Sequence, residues 1–276
     1  MLVANSLIVK KKVKKVLLTA QFEDANMLVI KNYRGKIMGT SESSVQAAVY
    51  KALRNNIMSL QLKPGTVMST QEVAQKLNVS RTPVREAFIR LQRDGLVDIF
   101  PQKETIVSRI DFHKVEQERF VRESLECANI YLFVEKCTRK DIGELELNIE
   151  RQHSTVNSCD YNSLMALDNE FHHYMFKVTG QNLAWETIEQ SANHYARIRM
   201  ITVWNKDIMM ETILQHQKIV SAVQESNADY AKIAIKAHLH QLENQLNRMM
   251  QDYPDYFVKE PPTTEERFSA LLAESR

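Results

Sequence analysis

Four residues in the second half of the chain have the side-chain types and the spacing of a metal site. Asp168 and His172 lie four residues apart in a segment with helical periodicity, so both side chains emerge from one helix face. His216 and His238 follow, each beside an apolar stripe. One carboxylate and three neutral imidazoles suit zinc, nickel or a similar divalent ion better than calcium or magnesium. The sequence does not show that the four side chains meet, and a lone histidine on an apolar face is more often a hydrogen-bonded core residue.

The elements that would position these residues are helices. Between Pro101 and Pro254 the sequence has no proline and two glycines, Gly143 and Gly180, as is typical of long uninterrupted helices. Apolar periodicity predicts six helical segments, which cover about 111–137, 140–157, 161–179, 183–203, 208–225 and 229–251. We expect them to form an all-α antiparallel bundle over residues 111–252.

Composition excludes several classes of protein. The chain has six glycines in 276 residues and no cluster of them, so neither a P-loop nor a dinucleotide-binding fingerprint can be formed. The apolar runs are too short to cross a bilayer, which predicts no membrane helix. Three cysteines (Cys127, Cys137 and Cys159) without a CxxC pair predict reduced thiols that pack in the core of a cytoplasmic protein.

Charge is distributed unevenly along the chain. Residues 1–110 hold 18 Lys/Arg and 8 Asp/Glu, a net charge of +10, whereas residues 111–276 hold 18 and 26, a net charge of −8. The basic half therefore suits a polyanion such as nucleic acid. Residues 1–40 are expected to be a disordered basic extension, or to lie upstream of a true start at Met38. Their apolar run Val16–Ala20 is too short for the core of a signal peptide.

Residues 41–110 have the pattern of a winged helix-turn-helix. Apolar spacing predicts a first helix over about 44–60. Ser69 and Glu72 form a capping-box pattern before a short helix that ends at Leu77, and Asn78 can adopt the left-handed turn that follows. A third helix is predicted from Ser80 or Thr82 to about Arg93, closed by Gly95. Two β-prone runs, over 96–100 and 105–110, then predict a two-stranded wing.

The third helix carries arginines outside its apolar face, at positions 81, 85 and 90. Arginine pairs bidentately with guanine in the major groove, while hydroxyls and helix-end amides hold phosphates. The helix is therefore suited to the reading of DNA. The alternative is an exposed basic helix that only keeps the fold soluble.

A long motif in this region resembles a known family. Residues 62–96 read LKPGTVMSTQEVAQKLNVSRTPVREAFIRLQRDGL and closely resemble the DNA-binding domain of GntR-family transcription regulators. The resemblance implies that recognition-helix residues contact operator DNA, that Arg90 lies on the DNA backbone, and that the wing tip approaches the minor groove. Glu104 stands near the wing tip where many relatives have glycine. The implied DNA-contacting set is Ser80, Arg81, Thr82, Arg85, Arg90, Gln102 and Lys103.

The second half resembles the FCD ligand-binding domain of the FadR subfamily of these regulators. Metal-binding members use Asp-x-x-x-His on one helix and one His on each of two later helices, which Asp168, His172, His216 and His238 match in order. The resemblance implies a small carboxylate effector beside the metal. Arg122 is the predicted cation for that carboxylate, with a salt bridge to Glu126 as the alternative role and with Arg197 and Arg199 in reserve. His173, His194 and His240 are expected to be structural or to support the ligands.

Together these features predict a mainly α protein that acts as a ligand-responsive transcription regulator. The resemblance implies a homodimer that binds palindromic operator DNA and, as in most relatives, a repressor that the effector releases. Two alternatives remain open: a metal-dependent hydrolase with a helical module, and the same regulator with a purely structural metal. Residues 253–276 form a proline-containing tail with a possible short helix at Thr264–Leu272, which either packs or hangs free.

Overall fold

The structure is a computed structural model that describes residues 42–100 and 103–259. The predictions for residues 1–40, for Gln102 and for the helix at Thr264–Leu272 lie outside the described residues. No described helix combines the length and the apolar character that a bilayer crossing requires.

The N-terminal domain is the winged helix-turn-helix that the sequence predicted. Its helices are α1 (Glu42–Met58), α2 (Thr70–Leu77) and α3 (Arg81–Arg93). The sheet has a third strand that sequence analysis missed, since β1 (Val67–Met68) pairs antiparallel with β3 (Glu104–Val107), which pairs antiparallel with β2 (Val97–Phe100). The apolar face of α3 is buried as expected, through Val84, Ala87, Phe88 and Leu91.

Local capping sets the turn between α2 and α3. The Ser69 hydroxyl accepts a hydrogen bond from the Glu72 amide, and Asn78 adopts the left-handed conformation with φ 56°. The predicted capping box is only half formed, because the Glu72 carboxylate accepts a hydrogen bond from Lys76 Nζ, 2.7 Å away. Glu72 therefore forms an ion pair with Lys76, one helical turn away, instead of a hydrogen bond to the backbone amide of Ser69.

The C-terminal domain is an all-α bundle. Its central helix, α4 (Phe112–Lys136), packs against α6 (Tyr161–Thr179), α8 (Asn193–Thr202) and α10 (Ala228–His240). The core of the bundle is apolar and includes Ile130, Phe133, Phe171, Ile198 and Ile213. The helices are α4 (Phe112–Lys136), α5 (Arg139–Ser158), α6 (Tyr161–Thr179), α7 (Asn182–Ser191), α8 (Asn193–Thr202), α9 (Lys206–Gln224), α10 (Ala228–His240) and α11 (Leu246–Asp252).

Two of the six predicted helical segments are broken. The segment 183–203 divides at Ala192 into α7 and α8, and the Glu118 carboxylate of α4 accepts hydrogen bonds from the amides of His194 and Tyr195. Because a side chain from another helix satisfies these amides, α8 can begin there without continuing α7. The segment 229–251 is interrupted by a 3₁₀ helix at Gln241–Gln245, between α10 and α11.

The first part of the tail packs on the connection between the domains. Ile110 forms a parallel bridge with Phe257, whose ring stacks on Phe112 at a centroid distance of 4.9 Å. The thiols correct another expectation: Cys127 and Cys137 are partly buried, but Cys159 is exposed. Cys159 occupies the left-handed C-cap of α5, so its position is set by the helix end rather than by the core.

Candidate metal centre and DNA interface

The structure brings the four predicted metal ligands together inside the bundle. Asp168 and His172 come from α6, His216 from α9 and His238 from α10, and all four are buried. One potential ligand atom from each lies within 4.8 Å of all the others. The packing of α6, α9 and α10 therefore brings the four predicted residues to a common point.

A fixed chain of hydrogen bonds orients the His216 ring. Asn148 Nδ2 donates to the Leu167 carbonyl, so Asn148 Oδ1 is left to accept from Gln152 Nε2 at 2.7 Å. Gln152 Oε1 then accepts from His216 Nδ1 at 2.8 Å. Because the chain ends on a backbone carbonyl, which can only accept, every donor along it is determined. His216 therefore carries its proton on Nδ1 and presents the Nε2 lone pair to the cluster.

The other two imidazoles are held in the same way. His172 Nδ1 donates to Glu126 Oε2 at 2.6 Å, and His238 Nδ1 donates to Gln215 Oε1 at 2.9 Å. Each proton therefore points away from the centre of the cluster. Outer acceptors of this kind orient metal-bound histidines in proteins and raise their basicity.

This arrangement directs the Nε2 lone pairs of the three rings to a common point, where they can bind a cation. His172 Nε2 and His238 Nε2 are 3.2 Å apart, and when the proton of each ring is on Nδ1 these two nitrogens cannot hydrogen bond to each other. His216 Nε2 is buried and has no hydrogen-bond partner among the described residues. Ligands of a tetrahedral zinc ion are roughly 3.3 Å apart. Asp168 Oδ1 lies 3.6 Å from His216 Nε2 and 3.9 Å from His238 Nε2, so the donor set fits a small divalent ion.

Protonation favours binding of a cation as well. Burial lowers the pKa of His216 to about 3 and holds the pKa of His238 well below its usual value, so both rings are neutral at pH 7. Burial alone would raise the pKa of Asp168, but the nearby positive charge, chiefly the Arg199 guanidinium, outweighs it and holds that pKa well below its usual value. Neutral imidazoles and an ionised carboxylate are the forms that bind metals.

Arg122 lies beside the cluster and is buried with Glu126. Its Nε donates to Glu126 Oε1 at 2.5 Å, which is the salt bridge that the sequence left open as an alternative role. Arg122 Nη2 lies 4.0 Å from Asp168 Oδ2, and this buried nitrogen has no hydrogen-bond partner in the described part of the chain. Glu126 thus links Arg122 to His172, and its pKa falls to about 2 because its interactions with His172 and Arg122 outweigh the effect of its burial.

A small cleft of about 40 Å³ opens on one side of the cluster. Of the two reserve arginines, Arg199 lines it and contacts Asp168, whereas Arg197 lies elsewhere. The Arg199 guanidinium also lies 5.7 Å from the Tyr195 ring, which is part of the same wall. Arg122 is not among the residues that line this cleft. The remaining lining residues are Met165, Thr202, Val203, Ile208, Thr212, His238, Gln241, Leu242 and Gln245.

The predicted DNA-contacting residues of α3 lie on its outer face. Ser80, Arg81, Thr82, Arg85 and Arg90 are all exposed. Arg81 Nη2 donates to Gln71 Oε1 of α2 at 3.2 Å, a contact that holds the guanidinium at the start of the recognition helix. Ser80 is the N-cap residue of α3, but its side chain makes no capping hydrogen bond. The hydroxyl is therefore available to another partner.

Two further predicted contacts differ in their surroundings. The Arg90 guanidinium lies over the Tyr50 ring, 3.8 Å from its centroid, near the C-terminal end of α3. Lys103 is exposed in the turn at the wing tip, next to the exposed Glu104. The sequence therefore predicted which face of α3 is exposed, while the contact between Arg90 and Tyr50 depends on the packing of α1 against α3.

Helix α8 connects the two domains. The Asn193 side-chain amide donates to the Asp94 carbonyl at the end of α3, and its oxygen accepts from Arg54 of α1. Arg197 is completely buried and donates to the Ser108 carbonyl at 2.6 Å. Tyr195 and Arg199, which are one turn apart on the same helix, line the cleft. The same helix therefore contacts the DNA-binding domain and the cleft.

Sequence analysis missed the acceptors that hold the three imidazoles. Gln152 and Gln215 look like ordinary surface residues in a helical pattern, and the Glu126 carboxylate was considered only as a partner of Arg122. Of the histidines outside the cluster, His173 stacks on Trp185, His194 accepts from the Asp111 amide and His240 contacts Glu123. None of these three is among the four convergent side chains.

Comparisons with known proteins agree with both domains. Residues 45–107 match the family described as bacterial regulatory proteins, gntR family, and residues 119–241 match the FCD domain. The chain is 31% identical over 216 residues to the HTH-type transcriptional repressor RspR of Escherichia coli, covering 78% of this chain and 95% of that protein. It is 30% identical over 226 residues to an HTH-type transcriptional regulator of Streptomyces ambofaciens, covering 82% and 95%.

Solved structures agree at the level of the fold. McbR/YncC of E. coli superposes with a TM-score of 0.63 at 20% identity, covering 75% of this chain and 98% of that one. A GntR regulator from Rhodococcus superposes with a TM-score of 0.64 at 21% identity, covering 74% and 98%. These relatives are regulators, so the hydrolase alternative is not supported. The chain belongs to the GntR family of bacterial transcription regulators, with an N-terminal helix-turn-helix domain and a C-terminal FCD domain.

Proposed function

We propose that this regulator is a repressor whose binding to operator DNA is controlled by a small carboxylate, bound beside a divalent metal ion. The observation that carries the proposal is the cluster itself, in which Asp168 and three imidazole Nε2 atoms converge while each Nδ1 is tied to an outer acceptor. Such a site fits the metal-binding members of the FadR subfamily, and we assign this chain to them. It would act in the cytoplasm, where the operator is.

Zinc is the proposed metal, with nickel or a similar ion as the alternative. The support is the donor set, since three neutral imidazoles and one carboxylate at these spacings suit a tetrahedral ion. Elemental analysis of protein purified without chelators tests the proposal. We expect about one ion per chain in the wild type and a large loss in His172→Ala and His216→Ala. Equal and negligible metal in all three proteins would contradict the proposal.

A carboxylate effector is supported by the charges around the cleft. Arg199 lines the cleft, and the buried Arg122 Nη2 lies just behind Asp168 without a hydrogen-bond partner among the described residues. A bound divalent ion would add positive charge beside these groups and so favour an anion. Arg122 and Arg199 are therefore the proposed cations for the effector, of which only Arg199 lines the cleft.

Thermal-shift screening of small organic acids against metal-loaded protein tests the effector class. A ligand that binds only the folded state raises the melting temperature in proportion to the logarithm of its concentration. We expect a shift with carboxylates and a smaller one in Arg199→Met. If removal of the metal melts the bundle and no carboxylate shifts the melting temperature, the metal is purely structural.

The proposed DNA complex is a homodimer on a palindromic operator. Its support is the outward face of α3, which offers hydroxyls and arginines to a major groove. A two-fold dimer would present two such helices to two half-sites. Light scattering of the full chain, alone and with operator DNA, measures the stoichiometry. A single chain bound to the intact operator would contradict the dimer.

Helix α8 is the proposed route by which the effector changes DNA binding. Its support is that Arg199 and Tyr195 face the cleft while Asn193 and Arg197 hold the DNA-binding domain. A ligand that shifts α8 would change the orientation of the two recognition helices, as a population shift between two arrangements.

The variant Asn193→Ala tests this route, with Asn182→Ala, an exposed residue at the start of α7, as the matched control. We expect Asn193→Ala to keep metal and effector binding and to lose most of the effector-dependent change in operator affinity. Typical couplings of about 5-fold to 150-fold make such a loss measurable. An unchanged effector response in Asn193→Ala would exclude this contact as the route.

A further inference from the structure

The 3₁₀ helix at Gln241–Gln245 lies in the wall of the cleft beside the metal cluster. It interrupts what would otherwise be one helix from α10 to α11, directly after His238 and His240. Short 3₁₀ stretches within a helix often mark functional positions, because they change the direction of side chains that an α-helix would point elsewhere. Gln241 and Gln245 both line the cleft.

Each of these glutamines has a buried polar atom without a hydrogen-bond partner. Gln241 Nε2 is a donor and Gln245 Oε1 is an acceptor, and neither finds a partner in the described part of the chain. If both amides were rotated by 180°, an acceptor and a donor would take their places. One donor and one acceptor are therefore presented in the assignment shown and when both amides are rotated together.

The other polar side chains of this wall are already occupied. Thr202 and Thr212 donate to carbonyls of their own helices, and the Tyr195 hydroxyl donates to the Leu239 carbonyl. Arg199 contacts Asp168. Among the described residues that line the cleft, the buried atoms left for a ligand's neutral polar group are therefore those of Gln241 and Gln245.

We propose that Gln241 and Gln245 determine effector specificity by binding a neutral group that both accepts and donates a hydrogen bond, namely a hydroxyl or a carboxamide. This inference rests on the proposed carboxylate-sensing function, because Arg199 and the metal site would hold the anionic end of the same molecule. A second carboxylate could only accept, so it would leave the acceptor on Gln245 unpaired, and an alkyl group would leave both atoms unpaired. Unpaired buried polar groups weaken binding strongly, and sites built to bind a hydroxyl reject analogues that lack it.

Calorimetric titration of the metal-loaded full chain with matched four-carbon acids tests the proposal. The probes are butyrate, its 2-, 3- and 4-hydroxy derivatives, succinamate and succinate. We expect at least one hydroxy acid or succinamate to bind about 10-fold more tightly than butyrate, as one satisfied donor and acceptor pair would produce. Preference for the hydroxy acids or for succinamate distinguishes the hydroxyl from the carboxamide.

The variants Gln241→Met and Gln245→Met identify the residues. Methionine keeps the volume and flexibility of the side chain but removes its polar atoms, so we expect the preference to disappear while butyrate affinity stays within about 2-fold. Gln251→Met, at an exposed position of α11, is the matched control and should retain the preference. The melting temperature of the ligand-free Gln241→Met and Gln245→Met proteins should not fall, because each substitution removes a buried polar atom that has no partner among the described residues.

The outcomes separate this inference from the function on which it rests. If butyrate binds and the polar derivatives bind no better, or if both Met variants keep the preference, the glutamines do not determine specificity and the carboxylate site stands. A lower melting temperature in the ligand-free Met variants would show that these side chains are structural, and it would overturn the inference too. If none of the acids binds, the carboxylate-sensing function fails and the inference falls with it.

Discussion

The two domains present their functional side chains in opposite environments. On α3 the arginines are exposed, and Arg81 is held by a contact with Gln71 of the neighbouring helix. In the bundle, Asp168 and the three imidazoles are buried, and each imidazole is fixed by an acceptor from another helix. A surface that reads DNA must stay accessible to the DNA, whereas a buried metal site needs the surrounding helices to hold its ligands in place. The first therefore depends on local structure and the second on packing.

Loss of the recognition arginines should have the largest effect and should be confined to the exposed site. Each bidentate contact between arginine and guanine contributes about 1–3 kcal/mol, so Arg81→Ala with Arg85→Ala should weaken operator binding by about 100-fold or more. Fluorescence anisotropy with the protein's own upstream DNA measures the loss. Arg93→Ala, exposed in the last turn of the same helix, is the control and should have a much smaller effect. Unchanged affinity in the double variant would remove α3 from the interface.

The buried site should be sensitive to residues that do not touch the ion. Gln152→Leu removes the acceptor that holds His216, and loss of such outer partners typically lowers metal affinity by about 10-fold to 100-fold. Competition with a chromogenic chelator measures the affinity. Gln217→Leu, on the neighbouring exposed face of α9, is the control and should bind metal normally. Equal affinities in the two variants would show that the Gln152 contact does not support the ion.

Helix caps should behave alike in both domains, because capping is local. Ser69 caps α2 and Thr138 caps α5, where Asp141 completes a capping box. Replacement of either by alanine should lower the free energy of unfolding by about 1 kcal/mol. Urea denaturation monitored by circular dichroism measures the change. If only Thr138→Ala lowered the free energy of unfolding, the N-terminal domain would not depend on its helix cap at Ser69.

The smallest effect concerns the packing between α4 and α8. Burial raises the pKa of Glu118 to about 7, so the folded protein holds this proton at pH values where the unfolded chain, with a usual pKa of 4.5, has lost it. This group's contribution to stability is therefore present at low pH and is lost as the pH rises through 7. Burial lowers the pKa of His194 to about 3, so the contribution of this ring to stability is lost as the pH falls below 6.5.

The variant Glu118→Gln isolates the carboxylate and leaves His194 unchanged. Relative to wild type, we expect it to gain stability on the order of 1 kcal/mol between pH 5 and pH 7, since Glu118 is only half-buried and partly screened by solvent. Urea denaturation at pH 5, 6 and 7 measures the difference. A pH-independent difference between the two proteins would show that Glu118 titrates normally.

Much of the N-terminal domain was predictable from neighbouring residues. The cap at Ser69, the left-handed Asn78 and the apolar face of α3 follow from interactions within a few positions along the chain. The errors there involve pairing between distant segments. β1 was missed because two residues have no periodicity, and its pairing with Ile106 and Thr105 exists only in the folded sheet.

The bundle was predictable in its helices and in the identity of the four candidate metal ligands, but not in its breaks or in the meeting of those ligands. The interruption at Ala192 coincides with the Glu118 contacts from α4, and no residue near Ala192 signals it. The interruption at Gln241 was missed for a similar reason, since glutamine is a good helix former. Both breaks shape the cleft, because Tyr195 and Arg199 follow the first and Gln245 ends the second.

The sequence by itself determined the order of the domains, the helix-turn-helix and the residue types of the candidate metal site, because these depend on periodicity, capping and spacing along one segment. Only the tertiary structure decided that Asp168, His172, His216 and His238 meet, and that Glu126, Gln152 and Gln215 fix the rings. It also decided that Arg199 rather than Arg122 lines the cleft. The physical reason is that hydrogen-bond acceptors and cavity walls come from helices far apart in the chain, and their arrangement follows from how the whole core packs.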